Sequence, residues 1–501
     1  MLAPSSRDPW AFSAGLLLLT AAVLTAAHWP VFPYFLDSWY HLAVIRGFEQ
    51  AGGPVFHAFW EAAPQGRPHL YPPLFHTLFL PAALAGVPPI QLARFWTWAS
   101  FPLLLAAAWS VLSRVSSSRL ACFAVIALAT PYSFFLGTIN YLPATLALIA
   151  GLGILLAISR QRRVAGALCL AAAFYLHAGI PWLLSLGLLL FGFVEPRYRK
   201  TCWAALAGGL LAASPWLIHL GRHLSLIQIQ PRGEDRMLEL PVPWLLLGIG
   251  GAVIAWRRKG ILRFLPVLAV AFLPMALAGY RFRFLATQGL FPLLLSAAVA
   301  LDWLAERMRP GWVLGALLAG LALLSPSMHL SPGHSGWAWG DTSLSGLSGL
   351  VPPAPRGTGG PIYNAKFMGE LEEAILRWTG PDDLIYSNVH YLAGMMTALT
   401  GRAATNQMLR EMAERPLGEQ IPPARMILWL KNLSGKKSPE MERAVEEYHL
   451  SLAGETEIAY LFLNPSPTGH RTPVLRVFPW WVAILQVLLA GALALWDLRR
   501  S

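Results

Sequence analysis

Asp37 and His41 stand four residues apart in the stretch FLDSWYHLAVIRGF, residues 35–48. On a helix that spacing puts a carboxylate and an imidazole on one face. A carboxylate there can take part in proton transfer, and His41 can serve as a metal ligand, a phosphate contact or an interfacial residue. A carboxylate where water is scarce also has its pKa raised by desolvation, towards values useful for proton transfer. Asp is equally a preferred helix N-cap, and the two roles are compatible. Further along, YPPLFH (71–76) sets Tyr71 and His76 around a rigid Pro pair, with His69 just before it.

A second group of residues has the chemistry of anion binding. GYRFRFL (279–285) carries Arg281 and Arg283, alternating with Tyr280, Phe282 and Phe284. Arg meets phosphate oxygens through paired N–H bonds. If the segment is extended, both guanidiniums face one way. If it is helical, they diverge by about 200° and only one reaches a shared site. Two Arg residues on an outer face depart from the positive-inside preference and flag function; headgroup snorkelling is the alternative use of both. His177, in FYLHAGIPW, and the pair Arg222–His223 mark two more turns of this kind. Glu234 and Asp235, in RGEDR, are the remaining acidic candidates, in a mixed-charge loop that also reads as a solvated face.

What must position these residues is a membrane-embedded helical framework. Of 501 residues, 55% are hydrophobic and 13% charged, against about 25% charged in soluble domains. The mean hydropathy is +0.50. Apolar runs long enough to cross a bilayer cover 11–29, 91–112, 120–138, 141–158, 164–178, 179–194, 201–220, 241–256, 261–279, 284–304, 311–326 and 477–497, about twelve spans. The net charge of +12 does not indicate nucleic acid, because the basic residues fall in short clusters at 113–119, 159–163, 195–200, 257–263, 306–310 and the C-terminus. That is the positive-inside pattern. Twelve spans with a cytoplasmic N-terminus put every cluster inside. The long loop 30–90, the turns at 140–143, 177–182, 221–240 and 279–284, and the segment 327–476 then lie outside. The first run is expected to be retained rather than cleaved as a signal peptide. Cys122, Cys169 and Cys202 lie in apolar runs and show neither disulfide nor metal spacing.

The combination of a first span, an outward Asp in D-x-x-Y-H-L (37–42), Y-P-P-L-F-H (71–76) before the second span, many further spans and a C-terminal outer segment resembles the GT-C glycosyltransferase superfamily. Its members include oligosaccharyltransferase catalytic subunits, protein O-mannosyltransferases and lipid A aminoarabinose transferases. The resemblance implies a polyprenyl-phosphate-linked sugar donor, with Asp37 facing the acceptor as catalytic group. It implies Arg281, Arg283 and His177 at the donor phosphate, and His41, Tyr71, His76, Arg222, Glu234 and Asp235 as further substrate or metal contacts. Many relatives carry paired acids in the first outer loop, where this chain has Asp37 alone. That weakens the case for a tightly held divalent cofactor, Mg or Mn, which wants several oxygen ligands. The Trp480–Trp481 pair begins the last apolar run and is followed by Val, so it reads as an aromatic anchor rather than a peptide-acceptor motif.

Residues 327–361 are rich in Gly, Ser and Pro and read as a linker or covering loop, in which Trp337, Trp339 and Asp341 are candidate sugar contacts. Residues 362–476 alternate helical and strand patterns, with Gly401 as a helix stop and Ser438 as a cap, and read as a small α/β domain with a mainly parallel sheet. His390 follows the strand pattern LIYSN. The expected fold is a polytopic α-helical membrane protein of GT-C type, spans 1–326 and 477–501 flanking an extracytoplasmic α/β domain. The expected function is sugar transfer to a glycan, lipid or protein on the extracytoplasmic face of a bacterial inner membrane. A lipid or saccharide transporter or flippase, or a GT-C scaffold without chemistry, is the alternative.

Overall fold

The computed structural model describes residues 8–27, 29, 36–140, 142–227, 238–308, 311–331, 334–344, 365–408, 421–431 and 438–472. Glu234, Asp235, the Trp480–Trp481 pair and the final apolar run lie outside the described residues. The chain opens with α1 (Pro9–Ala27) and α2 (Leu36–Ala51), then the two-residue strands β1 (His57–Ala58) and β2 (Arg67–Pro68), which pair antiparallel. The helices α3 (Leu74–Leu84), α4 (Pro89–Val115), α5 (Ser118–Ala129), α6 (Tyr132–Asn140), α7 (Leu142–Ser159), α8 (Arg163–Leu176), α9 (Ile180–Val194) and α10 (Arg199–Arg222) follow. After them come β3 (Leu238–Pro241), α11 (Val242–Arg258), α12 (Phe264–Leu277), the short α13 (Arg281–Leu285), α14 (Phe291–Arg307) and α15 (Gly311–Leu324).

Five described helical segments are long and apolar enough to cross a membrane: Pro9–Ala27, Pro89–Val115, Pro196–Arg222, Gly260–Leu277 and Arg281–Arg307. The pair α6 and α7, bent by 104°, would make a sixth as a broken span. Two of the expected spans are not single helices. The run 120–138 breaks at Thr130–Pro131, because proline lacks the N–H that would continue the ladder. The run 284–304 is interrupted between Leu285 and Phe291, where Pro292 opens α14. At 11 residues, α3 is about 16 Å long, too short to cross. Many apolar side chains point outwards, Leu277 at 87% and Leu211 at 75% exposure among them, as lipid-facing surfaces require.

Small residues let two central helices approach closely. A Cβ on Gly248 of α11 would sit 2.8 Å from the Leu293 carbonyl oxygen, and one on Gly251 would fall inside the Ser296 carbonyl. The two ends of α14 differ in character. At its C-terminal end Asp302 accepts from Arg119 (2.7 Å) and Arg258 (3.1 Å), and Glu306 from the same two arginines (3.0 and 3.3 Å). Arg263 meets Glu195 at 2.9 Å in the loops that end α9 and begin α12. The basic clusters at 113–119, 257–263 and 306–310 therefore converge on one end of the bundle. The opposite ends of α9, α12 and α14 meet the residues described in the next subsection.

Beyond α15, β4 (Ser327–Ser331) and β5 (His334–Ala338) form a hairpin that pairs antiparallel with β3. The start of the segment expected to be a linker is thus part of a sheet, while 345–364 lie outside the described residues. The last described unit contains α16 (Ala365–Trp378), β6 (Ile385–Ser387), α17 (His390–Thr400), β7 (Met426–Leu430), α18 (Pro439–Glu447), β8 (Ser451–Glu455) and β9 (Ala459–Leu463). Gly401 closes α17 with φ +71°, and Ser438 caps α18 by accepting from Met441 N at 3.2 Å. Its sheet order is β6-β7-β9-β8, with β6 and β7 parallel and the other two pairs antiparallel. The expectation of a mainly parallel sheet is corrected here. SLAGE (451–455) is a small, mostly exposed edge strand that a search for apolar runs passes over, and it turns directly into β9 as a hairpin.

This unit shares a core with the first loop. Trp39, Phe48 and Trp60 pack in one cluster with Met368, Leu392, Met395 and Leu461. Backbone bonds stitch the two together: Ala62 N to Asn406 O (2.8 Å), Ala63 N to Ala404 O (3.0 Å) and Ala404 N to Trp60 O (2.9 Å).

Candidate active site

Asp37 sits in the first turn of α2, where the positive end of the helix dipole favours a carboxylate. It is half-buried. The next turn of the same helix brings Tyr40 and His41, and all three line one cavity of 660 Å³. Tyr71, His177, Tyr280, Arg283 and Gln288 complete its polar end. The rest of the wall is apolar: Trp182 and Leu183 of α9, Leu217 and Leu220 of α10, Leu224 and Ile227 just after it, and Pro274 and Met275 of α12. Helices α2, α7, α9, α10, α12 and α13 and the first loop thus build a pocket with a charged end and a long greasy side.

The arginine question is settled by local helicity. Residues Arg281–Leu285 form α13, so the two guanidiniums diverge. Arg283 lines the cavity and Arg281 does not. The Arg283 guanidinium lies 5.3 Å from the Tyr280 ring centroid.

His177 ends α8 and opens α9. Its Nδ1 accepts from the backbone N–H of Gly179 (3.0 Å) and Ile180 (3.1 Å). Those bonds place the ring proton of the neutral imidazole on Nε2, making it a donor. Burial holds His177 neutral, down at about 3, with the nearby Arg283 charge acting in the same direction.

Behind the polar end lies a buried network. Glu61, with no exposed surface, accepts from Arg67 (2.9 Å) and from Met408 N (2.8 Å). His41 Nδ1 lies 2.9 Å from His76 Nε2, and His76 is fully buried. Burial pushes His41 down to about 3, helped by His177. His69 falls to about 3 through burial, then through Arg67, His219 and His41. Neither His69 ring nitrogen has a hydrogen-bond partner among the described residues, although its carbonyl accepts from His219 Nε2 at 2.8 Å. The Tyr40 hydroxyl is likewise unpartnered there, and burial followed by the Glu61 charge raises its pKa.

Of the residues singled out in the sequence, Asp37, His41, Tyr71, His177 and Arg283 share the cavity. His76 stands behind it, and Arg281 and Arg222 lie off its wall, Arg222 being exposed at the end of α10. Glu234 and Asp235 lie outside the described residues. Asp341 is buried beside His329 (Nε2 to Oδ2, 3.2 Å) in the hairpin sheet, while Trp337 and Trp339 are exposed. His390, at the start of α17, is not part of the wall. Tyr40, Tyr280 and Gln288 are wall residues that the motifs did not flag as site residues. Tyr40 was signalled by its place one turn after Asp37; Gln288 carried no signal. Among the described residues no three His, Cys, Asp or Glu side chains converge to hold a metal. Asp37 is the one carboxylate described on the cavity wall, and Glu61 is committed to Arg67 and Met408. Among the described residues the donors do not amount to a dedicated divalent site, and Glu234 and Asp235 lie outside them.

No family model matches the chain, and no curated protein matches it by sequence. Solved structures do. ArnT from Cupriavidus metallidurans bound to undecaprenyl phosphate is similar over 93% of this chain and 100% of its own, with a TM-score of 0.58 and 13% identity. The oligosaccharyltransferase of Archaeoglobus fulgidus, in a complex with Zn and sulfate, is similar over 91% of this chain and 74% of its own, with a TM-score of 0.56 and 11% identity. The same archaeal enzyme, AglB, with an inhibitory peptide and a dolichol-phosphate, matches with a TM-score of 0.56 and 11% identity over 91% of this chain and 75% of its own. This chain therefore shares its fold with ArnT and the archaeal oligosaccharyltransferase.

Proposed function

We propose that this chain, sharing its fold with polyprenyl-phosphate-binding glycosyltransferases, is itself an integral membrane enzyme that moves a sugar from a polyprenyl-phosphate donor to an acceptor. The observation that carries the reading is the two-ended cavity, with Asp37, His177 and Arg283 at one end and an apolar wall from Trp182 to Met275 along the other. A lipid tail lies against Leu217, Leu220 and Ile227. Its phosphate meets the Arg283 guanidinium and the His177 Nε2–H. The acceptor's oxygen or nitrogen attacks the anomeric carbon opposite the phosphate, inverting it, and Asp37 takes its proton. The breaking bond leaves its electron pair on the phosphate, which Arg283 and His177 stabilise in place. Arg281, Arg222, Glu234 and Asp235 have no step in this scheme, nor does a metal. The end of the bundle holding Arg119, Arg258 and Arg263 faces the cytoplasm with both termini. The cavity opens on the outer side of a bacterial inner membrane, where the acceptor is a glycan, lipid or protein of the cell envelope.

Binding of undecaprenyl phosphate to detergent-purified protein tests the reading. Arg283→Gln is expected to weaken binding by about tenfold or more, the value of a charge-assisted hydrogen bond in a dry site. Arg281→Gln is expected to change it by less than about twofold. Equal affinity in wild type and Arg283→Gln would overturn the assignment. Lipid movement across vesicles without sugar transfer would favour a flippase instead.

A further inference from the structure

The apolar run Arg281–Arg307 is helical at both ends and broken in between. Helix α13 stops at Leu285, a single 3₁₀ turn covers Gln288–Leu290, and α14 starts at Phe291. Irregular backbone at membrane depth is tolerated where protein buries it or where it lines a cavity. This break does both. The chain folds back on itself so closely that a Cβ on Gly289 would lie 2.4 Å from Phe284 Cα. From the other side α6 presses on Thr287, since a Cβ on Gly137 would lie 2.7 Å from Thr287 Cβ. Thr287 is 1% and Gln288 6% exposed. Of the two, Gln288 lines the cavity, together with Arg283 from the same segment and His177.

The Gln288 amide is held one way round. Thr287 Oγ1 donates to Gln288 Oε1 at 2.6 Å. That separation is usual for O–H···O and shorter than the range of about 2.7–3.2 Å for N–H···O, so the amide oxygen, not the nitrogen, faces Thr287. The other acceptor within reach of the hydroxyl, the Arg283 carbonyl, is farther away, at 3.2 Å. With its oxygen engaged, the side chain has its NH₂ left for the cavity, and that group can only donate. The Arg283 guanidinium also only donates, and His177 presents an N–H beside it.

We infer that Gln288 is a further phosphate-binding residue, a neutral donor held in place by Thr287 that joins Arg283 and His177 at the head of the lipid donor. The inference rests on the proposed sugar transfer and deepens it. An ionised phosphate only accepts hydrogen bonds, so a wall of donors suits it. A sugar hydroxyl has a proton of its own to place, and Gln288 held this way offers it no free acceptor group. Thr287 is a positioning residue: it acts through the amide.

The test compares two ligands of detergent-purified full-length protein: undecaprenyl phosphate, and undecaprenol, the same tail without the anion. Gln288→Leu is expected to weaken undecaprenyl phosphate about tenfold and to leave undecaprenol within about twofold. Gln288→Glu keeps the shape but sets a second anion beside the phosphate, and is expected to weaken it about a hundredfold or more. Thr287→Val frees the amide and is expected to cost about three- to tenfold, with Thr287→Ser restoring most of the loss. Equal loss of both ligands in Gln288→Leu would mean a damaged fold or tail groove and would overturn the assignment, as would undecaprenyl phosphate binding left intact by Gln288→Glu. No recovery from Thr287→Val to Thr287→Ser would overturn the positioning role. If Arg283→Gln weakens binding and Gln288→Leu does not, Gln288 is removed and the phosphate site stands. If neither variant weakens it, the proposed donor site fails and this inference fails with it.

Discussion

Replacing Glu61 by Gln removes one charge from a buried pair and leaves everything else close to its place. Glu61 is fully buried, and the Arg67 side chain is 6% exposed. Gln keeps an oxygen for Met408 N–H but strands the guanidinium. Breaking one side of such a pair costs about 3–5 kcal/mol, because the remaining charge is neither hydrated nor compensated. Replacing both, as Glu61→Leu with Arg67→Met, strands no charge; it leaves Met408 N–H without its acceptor, at about 1–3 kcal/mol. The double variant should therefore be more stable than Glu61→Gln. Denaturant unfolding of purified protein, followed by Trp fluorescence, gives the three free energies. Hydrogen exchange should show the Ala62, Ala63, Ala404 and Met408 amides opening together in Glu61→Gln, since they join the first loop to the α/β unit. A cost below about 1 kcal/mol for Glu61→Gln, or a double variant no more stable than Glu61→Gln, would refute the reasoning.

Two further outcomes follow from packing and protonation. Gly251→Leu should destabilise the bundle by about 1–3 kcal/mol or more and lower the yield of folded protein, because the added side chain meets the backbone of α14 at Ser296; an unchanged melting temperature would contradict that contact. His41 and His69 have folded pKa values of about 3 against about 6.5 unfolded. The unfolded chain thus binds more protons below pH 6.5, and stability falls as the medium is acidified. Between pH 7 and pH 5 each contributes about 2 kcal/mol of loss, with little change above pH 7.5; a melting temperature that stays flat or rises on acidification would count against the buried cluster.

The sequence revealed the parts of the site that are local and hid those that depend on distant contacts. Asp37 and His41 share a face because four residues make about one helical turn, and that could be read from spacing alone. The choice between Arg281 and Arg283 could be posed but not decided, since it depends on whether five residues coil. Glu61 and Arg67 were invisible because the amide that completes their site, Met408, lies 347 residues away in the chain. His76 was visible as a candidate contact, but its place behind His41 appears only when α2 and α3 pack. The hairpin of β4 and β5 was hidden in Gly- and Ser-rich sequence because its strand partner, β3, precedes α11. The edge strand β8 was missed for want of apolar residues, and with it the antiparallel half of the sheet.

Whether Asp37 accepts the acceptor's proton can be asked directly. Wild type and Asp37→Asn are purified, offered labelled polyprenyl-phosphate sugars with candidate acceptors, and followed for transfer and for donor hydrolysis, with undecaprenyl-phosphate binding measured alongside. A general base implies a fall in turnover of about 10²–10⁴ in Asp37→Asn while the lipid phosphate still binds. Equal turnover by the two proteins would remove Asp37 from the chemistry and the account with it.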